Sequence, residues 1–397
     1  MSRRGAAASG HGVARVRKGT GCRWIAAAAL VLACAAPQAL RAQEEQPDVT
    51  VADGATLKLE VLAQPQMSTT SVDSALQSDY ELRRARLTAE GTAGDRWSGR
   101  IQMDFEPERA RFRDAYLEGR VSDALSLRAG QFKVPFNGFD IESGKRLIAI
   151  ERGARVRGTS GSRISTSGML AATALSARNR GIMALSGWAD GRVRLQAGAW
   201  IGSGERGETN DGKQLAARLE LEPWAGDEER LPLVLAAAVV TNGYFGSPQD
   251  TLVVAGGDSA MTEDAAYATA FEGWVELGRY AAPGIHVAGN VVAGNNPLAP
   301  RVEGSDVRFA SFLGMQVWGE YVFRGTGALT GIGLGGRVDR FDPDTDADED
   351  AFLLWTPLVN LYFGKAFKLQ ANVDLLSPES EERDRESAVR IQAQVVL

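Results

Sequence analysis

The stretch that decides the fold is Ala388–Leu397, A-V-R-I-Q-A-Q-V-V-L. Apolar residues hold one face of this extended segment and polar residues the other: Val389, Ile391, Ala393, Val395 and Leu397 against Arg390, Gln392 and Gln394. A strand with one apolar and one polar face needs two different solvents. Together with an export signal at the start of the chain, it predicts an all-β fold: a transmembrane antiparallel β-barrel of the outer-membrane type, closed by its last strand.

The same alternation of apolar and polar residues recurs along the chain. It is found in Trp97–Glu106, 193–201, 215–222 and 367–375. A charged or amide side chain on every second residue suits a water-filled lumen. A soluble sandwich would rarely need this many strands of about ten residues.

The connections between these segments alternate between short and long. The short ones are Thr92–Arg96, Ser122–Ala124, Ala189–Gly191, Arg324–Gly327 and Gly364–Ala366. The long ones are Ser68–Asp79, Pro135–Arg180, Gly202–Gly212, Asn242–Asp264, Asp342–Asp350 and Ser377–Ser387. Short periplasmic turns and long external loops are typical of bacterial barrels. The spacing predicts about sixteen strands, with fourteen or eighteen as alternatives, and both termini in the periplasm.

The first residues have the pattern of a secretory signal. A basic segment precedes the apolar stretch Trp24–Ala36, which is shorter than the about 20 residues that a membrane helix needs. We therefore expect a signal peptide over 1–42, a polar lead-in over 43–56 and the barrel domain over 57–397. A retained membrane anchor is the alternative.

Composition limits the chemistry that the barrel can perform. Without residues 1–42 the chain has 37 basic and 50 acidic residues, a formal charge of −13. Both cysteines, Cys22 and Cys34, lie in the expected signal peptide, so no disulfide or thiolate metal site is expected. His286 is the one histidine left, and no G-x-S-x-G motif surrounds any serine. We expect no enzyme, cofactor, metal site or nucleic-acid partner.

Basic residues cluster in two places. In the segment 80–91, Arg84 and Arg86 share the polar face, whereas Arg83 falls on the apolar side near the outer end of the strand. The longest connection has a local excess of positive charge, with Lys145, Arg146, Arg152, Arg155, Arg157, Arg163 and Arg178 against Asp140, Glu142 and Glu151. Arginines in a wet pore attract anions and offer donors to their oxygens. The alternative is a network of arginines and carboxylates that braces the wall.

These segments resemble the phosphate-selective porin O/P family of bacterial outer membranes. The matching motifs are L-R-R-A-R-L (82–87), Trp97–Phe105, R-D-A-Y-L-E (113–118), L-R-A-G-Q-F-K-V-P-F (127–136), E-S-G-K (142–145) and I-E-R (150–152), with looser matches at 337–343 and 358–363. The resemblance implies a sixteen-stranded, typically trimeric pore whose third loop folds into the lumen. By resemblance, Arg83, Arg84, Lys145 and Arg152 are expected to bind anions. Arg86 is added to this set because it lies on the polar face of its strand. Asp140 stands where the family pattern leads us to expect a lysine.

The predicted function is passive diffusion of small hydrophilic solutes, with anions such as phosphate preferred. A channel for neutral nutrients, which would need an aromatic track in the lumen, is one alternative. A closed barrel serving as an adhesin or structural anchor is another. The acidic run 342–350 lacks the glycine and glutamate of a calcium loop and indicates a solvated external loop, with weak cation bridging to lipopolysaccharide as the alternative.

Overall fold

The computed structural model describes residues 49–52, 54–72, 75–106, 109–155, 161, 164–205, 211–226, 230–244, 251–253, 259–261, 266–303, 306–383 and 385–397. The expected signal peptide and half of the expected lead-in lie outside these residues, as do Arg157 and Arg163. Within the described part of the chain, no helix is long and apolar enough to cross a membrane.

Nineteen strands are described. They are β1 (Val49–Ala52), β2 (Ala55–Val72), β3 (Ala75–Ala93), β4 (Trp97–Glu106), β5 (Arg109–Ser122), β6 (Leu125–Lys133), β7 (Arg178–Trp188), β8 (Val193–Trp200), β9 (Gln214–Trp224), β10 (Leu233–Tyr244), β11 (Thr251–Val253), β12 (Ser259–Met261), β13 (Ala266–Gly278), β14 (Gly284–Glu303), β15 (Asp306–Thr326), β16 (Leu329–Asp342), β17 (Phe352–Phe363), β18 (Phe367–Pro378) and β19 (Glu386–Val396).

Sixteen of these strands form one closed antiparallel barrel, as the spacing of the connections predicted. Neighbours in the chain pair with each other, β10 pairs with both β9 and β13, and β19 closes the ring against β2. At this seam, Val61 and Leu397 exchange two backbone hydrogen bonds of 2.8 and 2.9 Å. β1 pairs with the start of β2, and β11 and β12 form a separate small sheet.

The exposure of side chains on the barrel is the reverse of that in a water-soluble domain. On β19, Val389 and Ile391 are 48% and 37% exposed, whereas Arg390 and Gln392 are 3% and 1% exposed. Apolar side chains therefore cover the outside and polar ones line the inside. A wall that separates hydrocarbon from water requires this arrangement. It confirms the face assignment made from the sequence.

One predicted loop is a strand hairpin. The segment Ser68–Asp79 was expected to be a long loop, but β2 continues to Val72 and β3 begins at Ala75. Ser68 pairs with Asp79, and the hydroxyls of Thr69 and Ser78 lie 3.0 Å apart. Residues 68–71 of β2 are all Ser or Thr, so the alternation of apolar and polar residues stops there although the strand continues.

The third connection on the long-loop side, residues 134–177 between β6 and β7, folds into the lumen as the resemblance implied. It contains two short helices, Gly138–Ile141 and Thr166–Ala172. Phe139 is fully buried between Trp274 and Trp318 of the wall, with ring centroids 4.7 and 4.4 Å away. The loop therefore has an apolar core of its own inside the barrel.

Hydrogen bonds from wall amides hold this third loop against one half of the barrel. Asn360 and Gln370 each donate to the carbonyl oxygen of Ile148 at 3.0 Å. Asn290 on β14 donates to Asn137 Oδ1 at 2.8 Å. These contacts tie the loop to β14, β17 and β18, and cavities remain beside β3–β8.

Candidate functional site

The space beside β3–β8 consists of three cavities that follow one another along the wall. The outer chamber has a volume of 650 Å³ and lies between the third loop and the external ends of β3, β4, β5 and β7. The middle chamber, 230 Å³, lies below it and is lined by Arg100, Gln102, Asp114 and Tyr116 among others. The inner chamber, 420 Å³, opens beside the short turn at 94–96.

The outer and middle chambers are strongly basic, although the whole chain is acidic. Nine basic and four acidic residues line the outer chamber: Arg83, Arg84, Arg86, Arg111, Arg113, Lys133, Arg152, Arg155 and Arg178 against Asp104, Asp140, Glu151 and Glu205. Five basic residues and one acidic residue line the middle chamber: Arg86, Arg100, Arg128, Lys133 and Arg178 against Asp114. The local electrostatic potential in this half of the lumen is therefore positive.

Arg86, Lys133 and Arg178 line both the outer and the middle chamber, so they form the neck between the two. Arg86 makes a bidentate ion pair with Asp104, and Arg178 Nε lies 2.6 Å from Asp114 Oδ1. The Lys133 ammonium donates to two loop carbonyl oxygens at 2.7 and 3.0 Å. Lys133 has no ion pair with a carboxylate among the described residues.

Arg83 faces the lumen, so its predicted place on the apolar side is wrong. Gln64 on β2 pairs with Arg84 and Pro65 with Leu82, which leaves Arg83 as the extra residue of a β-bulge. A bulge inserts one residue and redirects the side chain, and Pro65 has no N–H for a regular ladder at this point. The turned Arg83 makes a bidentate pair with Glu151 of the third loop at 2.7 and 2.9 Å.

The carboxylate of Glu151 holds the third loop to the wall of the outer chamber. Burial raises the pKa of Glu151, but the Arg83 guanidinium outweighs this effect and holds the pKa well below its ordinary value. Arg155 adds a second contact to Glu151 at 3.1 Å. The contacts of Arg83 therefore support the alternative in which arginines and carboxylates brace the wall.

The side chain of Lys145 lies against the wall strand β2. Its ammonium is 2.5 Å from Glu60 Oε2 on β2, and it lines none of the three chambers. Lys145 was selected from the resemblance, and a motif match does not reveal which part of a loop faces the open space. Arg84 does line the outer chamber, where it donates to Gln64 Oε1 at 2.7 Å.

Arg152 also lines the outer chamber, but its guanidinium is engaged with the loop itself. It donates to the carbonyl oxygens of Phe139 at 2.9 Å and Glu142 at 2.6 Å. Burial lowers the pKa of Arg152, and the nearby Asp140 carboxylate partly offsets this effect. Arg152 therefore ties two segments of the third loop together while adding positive charge to the chamber.

The site also contains residues that were not selected from the sequence. Lys133 and Arg178, at the two ends of the third loop, belong to the neck, while Arg100 and Arg128 line the middle chamber. Arg128 stacks on Tyr116 at 4.3 Å from the ring centroid. The alternation in Trp97–Glu106 already placed Arg100 on the polar face, so face counting could have identified it. Lys133 at the end of β6 pairs with Arg178 at the start of β7, and the sequence pattern does not indicate that these two residues meet at the neck.

No group of three or more His, Cys, Asp and Glu side chains is arranged to hold a metal ion in the described ranges of the chain. His286 is buried and lies 3.0 Å from Glu276 on the neighbouring strand.

Comparisons with known proteins agree with this architecture. The model of a family described as phosphate-selective porin O and P matches residues 66–263. The outer membrane channel DcaP of Acinetobacter baumannii superposes with a TM-score of 0.60 at 13% identity, over 89% of this chain and 100% of that one. No curated protein matches the chain in sequence.

Two structures of OmpT, an outer membrane protein of Vibrio cholerae, are also similar. The variant lacking loop L8 has a TM-score of 0.56 at 14% identity, over 87% of this chain and 100% of that one. The in-vitro folded trimer form has a TM-score of 0.54 at 15% identity, over 87% of this chain and 100% of that one. At these identities the likeness shows the fold, an outer-membrane barrel.

Proposed function

Because residues 66–263 belong to the phosphate-selective porin O and P family, we propose that this barrel is an outer-membrane channel for small anions, phosphate among them. Solutes would cross by passive diffusion along the outer, middle and inner chambers. The observation that carries the proposal is the excess of basic over acidic residues in the outer and middle chambers, nine against four and five against one. It occurs in a chain that is acidic overall.

The physical basis is the field of these fixed charges in a narrow, wet space. Low-dielectric walls focus the field, so the local concentration of anions rises and that of cations falls. The guanidinium groups also offer paired donors that suit carboxylate and phosphate oxygens. Passage needs no catalytic step and no cofactor, since diffusion down a gradient supplies the driving force.

A channel for neutral nutrients is a weaker proposal. Such a channel needs aromatic side chains along the path, but Trp274 and Trp318 are packed under the third loop at 8% and 2% exposure. Tyr116 is the aromatic residue in the middle chamber that is partly exposed, and Arg128 covers its ring. A closed barrel is disfavoured by the volumes of the three chambers, 650, 230 and 420 Å³.

The proposed setting is the outer membrane, reached through the periplasm, with lipid and lipopolysaccharide around the barrel. A homotrimer is the proposed assembly, which the trimer form of the similar OmpT structure supports. In this arrangement each protomer carries its own path, because all three chambers lie inside a single barrel.

Reversal potentials of the purified protein in a planar bilayer under a KCl gradient test the proposal. We expect the sign that corresponds to chloride permeating better than potassium, and a cation-selective channel would refute the anion preference. Liposome swelling in sugars and in salts provides the second comparison. Faster entry of sugars would favour the neutral-nutrient channel, and absence of any conductance would favour the closed barrel.

A further inference from the structure

A carboxylate from a different loop reaches into the outer chamber. Glu205 follows β8 in the chain and lines the outer chamber. Its two carboxylate oxygens lie 2.5 Å from Arg111 Nη2 and 2.8 Å from Arg113 Nη1, both on β5. Arg180 on β7 donates to the backbone carbonyl of Glu205 at 3.4 Å. The side chain is therefore held across a pair of arginines at the external end of the path.

This contact differs from the buried pairs that hold the third loop. The side chains of Arg111, Arg113 and Glu205 are 34%, 25% and 16% exposed, so solvent reaches all three. Partly exposed ion pairs are weaker than fully buried ones, and they can exchange with ions from solution. By contrast, the carboxylate that anchors the third loop, Glu151, is 6% exposed.

The two arginines present the donors that an incoming anion would use. A carboxylate held by two guanidinium groups is the contact that an organic acid would make, and the oxygens of phosphate fit the same donors. We infer that Arg111 and Arg113 form an anion-binding site at the external mouth, and that Glu205 is a tethered competitor which occupies this site between solutes. The ligands are small anions with carboxylate or phosphate oxygens.

This inference deepens the proposed function and rests on it. A channel must bind its solutes strongly enough to admit them and weakly enough to release them. A tethered carboxylate lowers the apparent affinity of the site, because each solute must first displace a group whose effective concentration is of the order of millimolar. Glu205 would thus keep anions from being trapped at the entrance, because it weakens their binding there.

Block of the chloride current by added anions tests the inference. Purified protein in a planar bilayer is bathed in KCl, and acetate and inorganic phosphate are titrated in separate arms from the external side. In Glu205→Gln we expect the half-blocking concentration of at least one probe to fall by about twofold or more, since the competitor has been removed. The arm that responds identifies the favoured oxygens, carboxylate or phosphate.

Three variants separate competition from a general change of charge. Glu381→Gln removes the same charge from the exposed loop between β18 and β19 and should leave both half-blocking concentrations at the wild-type value. Adding Arg113→Gln to Glu205→Gln should raise them again, because one donor of the site is gone. Glu205→Asp keeps a tethered carboxylate and should stay closer to wild type than Glu205→Gln.

The outcomes distinguish this inference from the proposed function. Cation selectivity of the wild-type channel would overturn both. Anion selectivity with unchanged block in Glu205→Gln, or with an equal shift in Glu381→Gln, would overturn the competitor alone. If Glu205→Gln does not insert as a folded barrel, Glu205→Ser gives the same comparison without the amide.

Discussion

Replacement of Arg100 by glutamine tests whether the middle chamber sets the ion preference. Arg100 Nε is 3.4 Å from Glu90 and 3.7 Å from Asp114, both on neighbouring wall strands, so the third loop does not depend on these contacts. A sphere of 230 Å³ has a radius of about 3.8 Å, which puts a central ion about 5 Å from the guanidinium. One unit charge at that distance in water contributes about 0.8 kcal/mol, or about a fourfold change in an equilibrium constant.

The assay is the chloride-to-potassium permeability ratio from reversal potentials under a KCl gradient. Arg100→Gln should lower this ratio by about fourfold or more, because water in a narrow lumen screens less than bulk water. Lys145→Gln is the matched control, since it removes one positive charge that is paired with Glu60 and lies outside the three chambers. An equal change in both variants, or none in Arg100→Gln, would refute the assignment of the path.

The remaining predictions concern the loops. Glu151→Gln should destabilise the barrel by about 2 kcal/mol, a value reduced from that of a fully buried pair because Arg83 is 28% exposed. Since the pKa of Glu151 is lowered, its contribution is present above pH 4.5 and lost as the pH falls below that value, so thermal unfolding of wild type and variant should converge in acid. Burial and neighbouring carboxylates raise the pKa of Asp350 to about 6, so ionisation of Asp350 opposes folding above that pH. Asp350→Asn should therefore raise the unfolding temperature at pH 8 and change it much less at pH 4; a larger effect at pH 4 would contradict this sign. Phe139→Ala should leave a cavity beside Trp274 that costs about 3 kcal/mol or more, and single-channel recordings should show added current noise as the third loop loosens; an unchanged unfolding temperature would argue against the packing described.

The wall of the barrel could be predicted from the sequence because its physical rule is local. Each strand residue faces either hydrocarbon or water, so alternation alone assigned the faces of β19 and β4. The rule fails where that constraint ends. It missed the hairpin at Ser68–Asp79, which extends beyond the bilayer, and it misplaced Arg83, because one inserted residue reverses the side to which a side chain points.

The site was predicted less well than the wall. The resemblance correctly indicated that the third loop enters the lumen, and Arg83, Arg84, Arg86 and Arg152 line the outer chamber. Lys145 does not, because the path of a loop depends on distant contacts such as the pocket that Trp274 and Trp318 form for Phe139. Local sequence carries no signal for such contacts.

Thiol labelling distinguishes passage of solutes beside β3–β8 from passage through the part of the lumen filled by the third loop. Cys22 and Cys34 are the only native cysteines, and replacing both by serine gives a clean background. Gln196→Cys lines the middle chamber, whereas Gln370→Cys lies under the loop at 2% exposure. A bulky water-soluble thiol reagent should reduce the current through Gln196→Cys and leave Gln370→Cys unchanged. A reduced current through Gln370→Cys with an unchanged current through Gln196→Cys would contradict passage beside β3–β8.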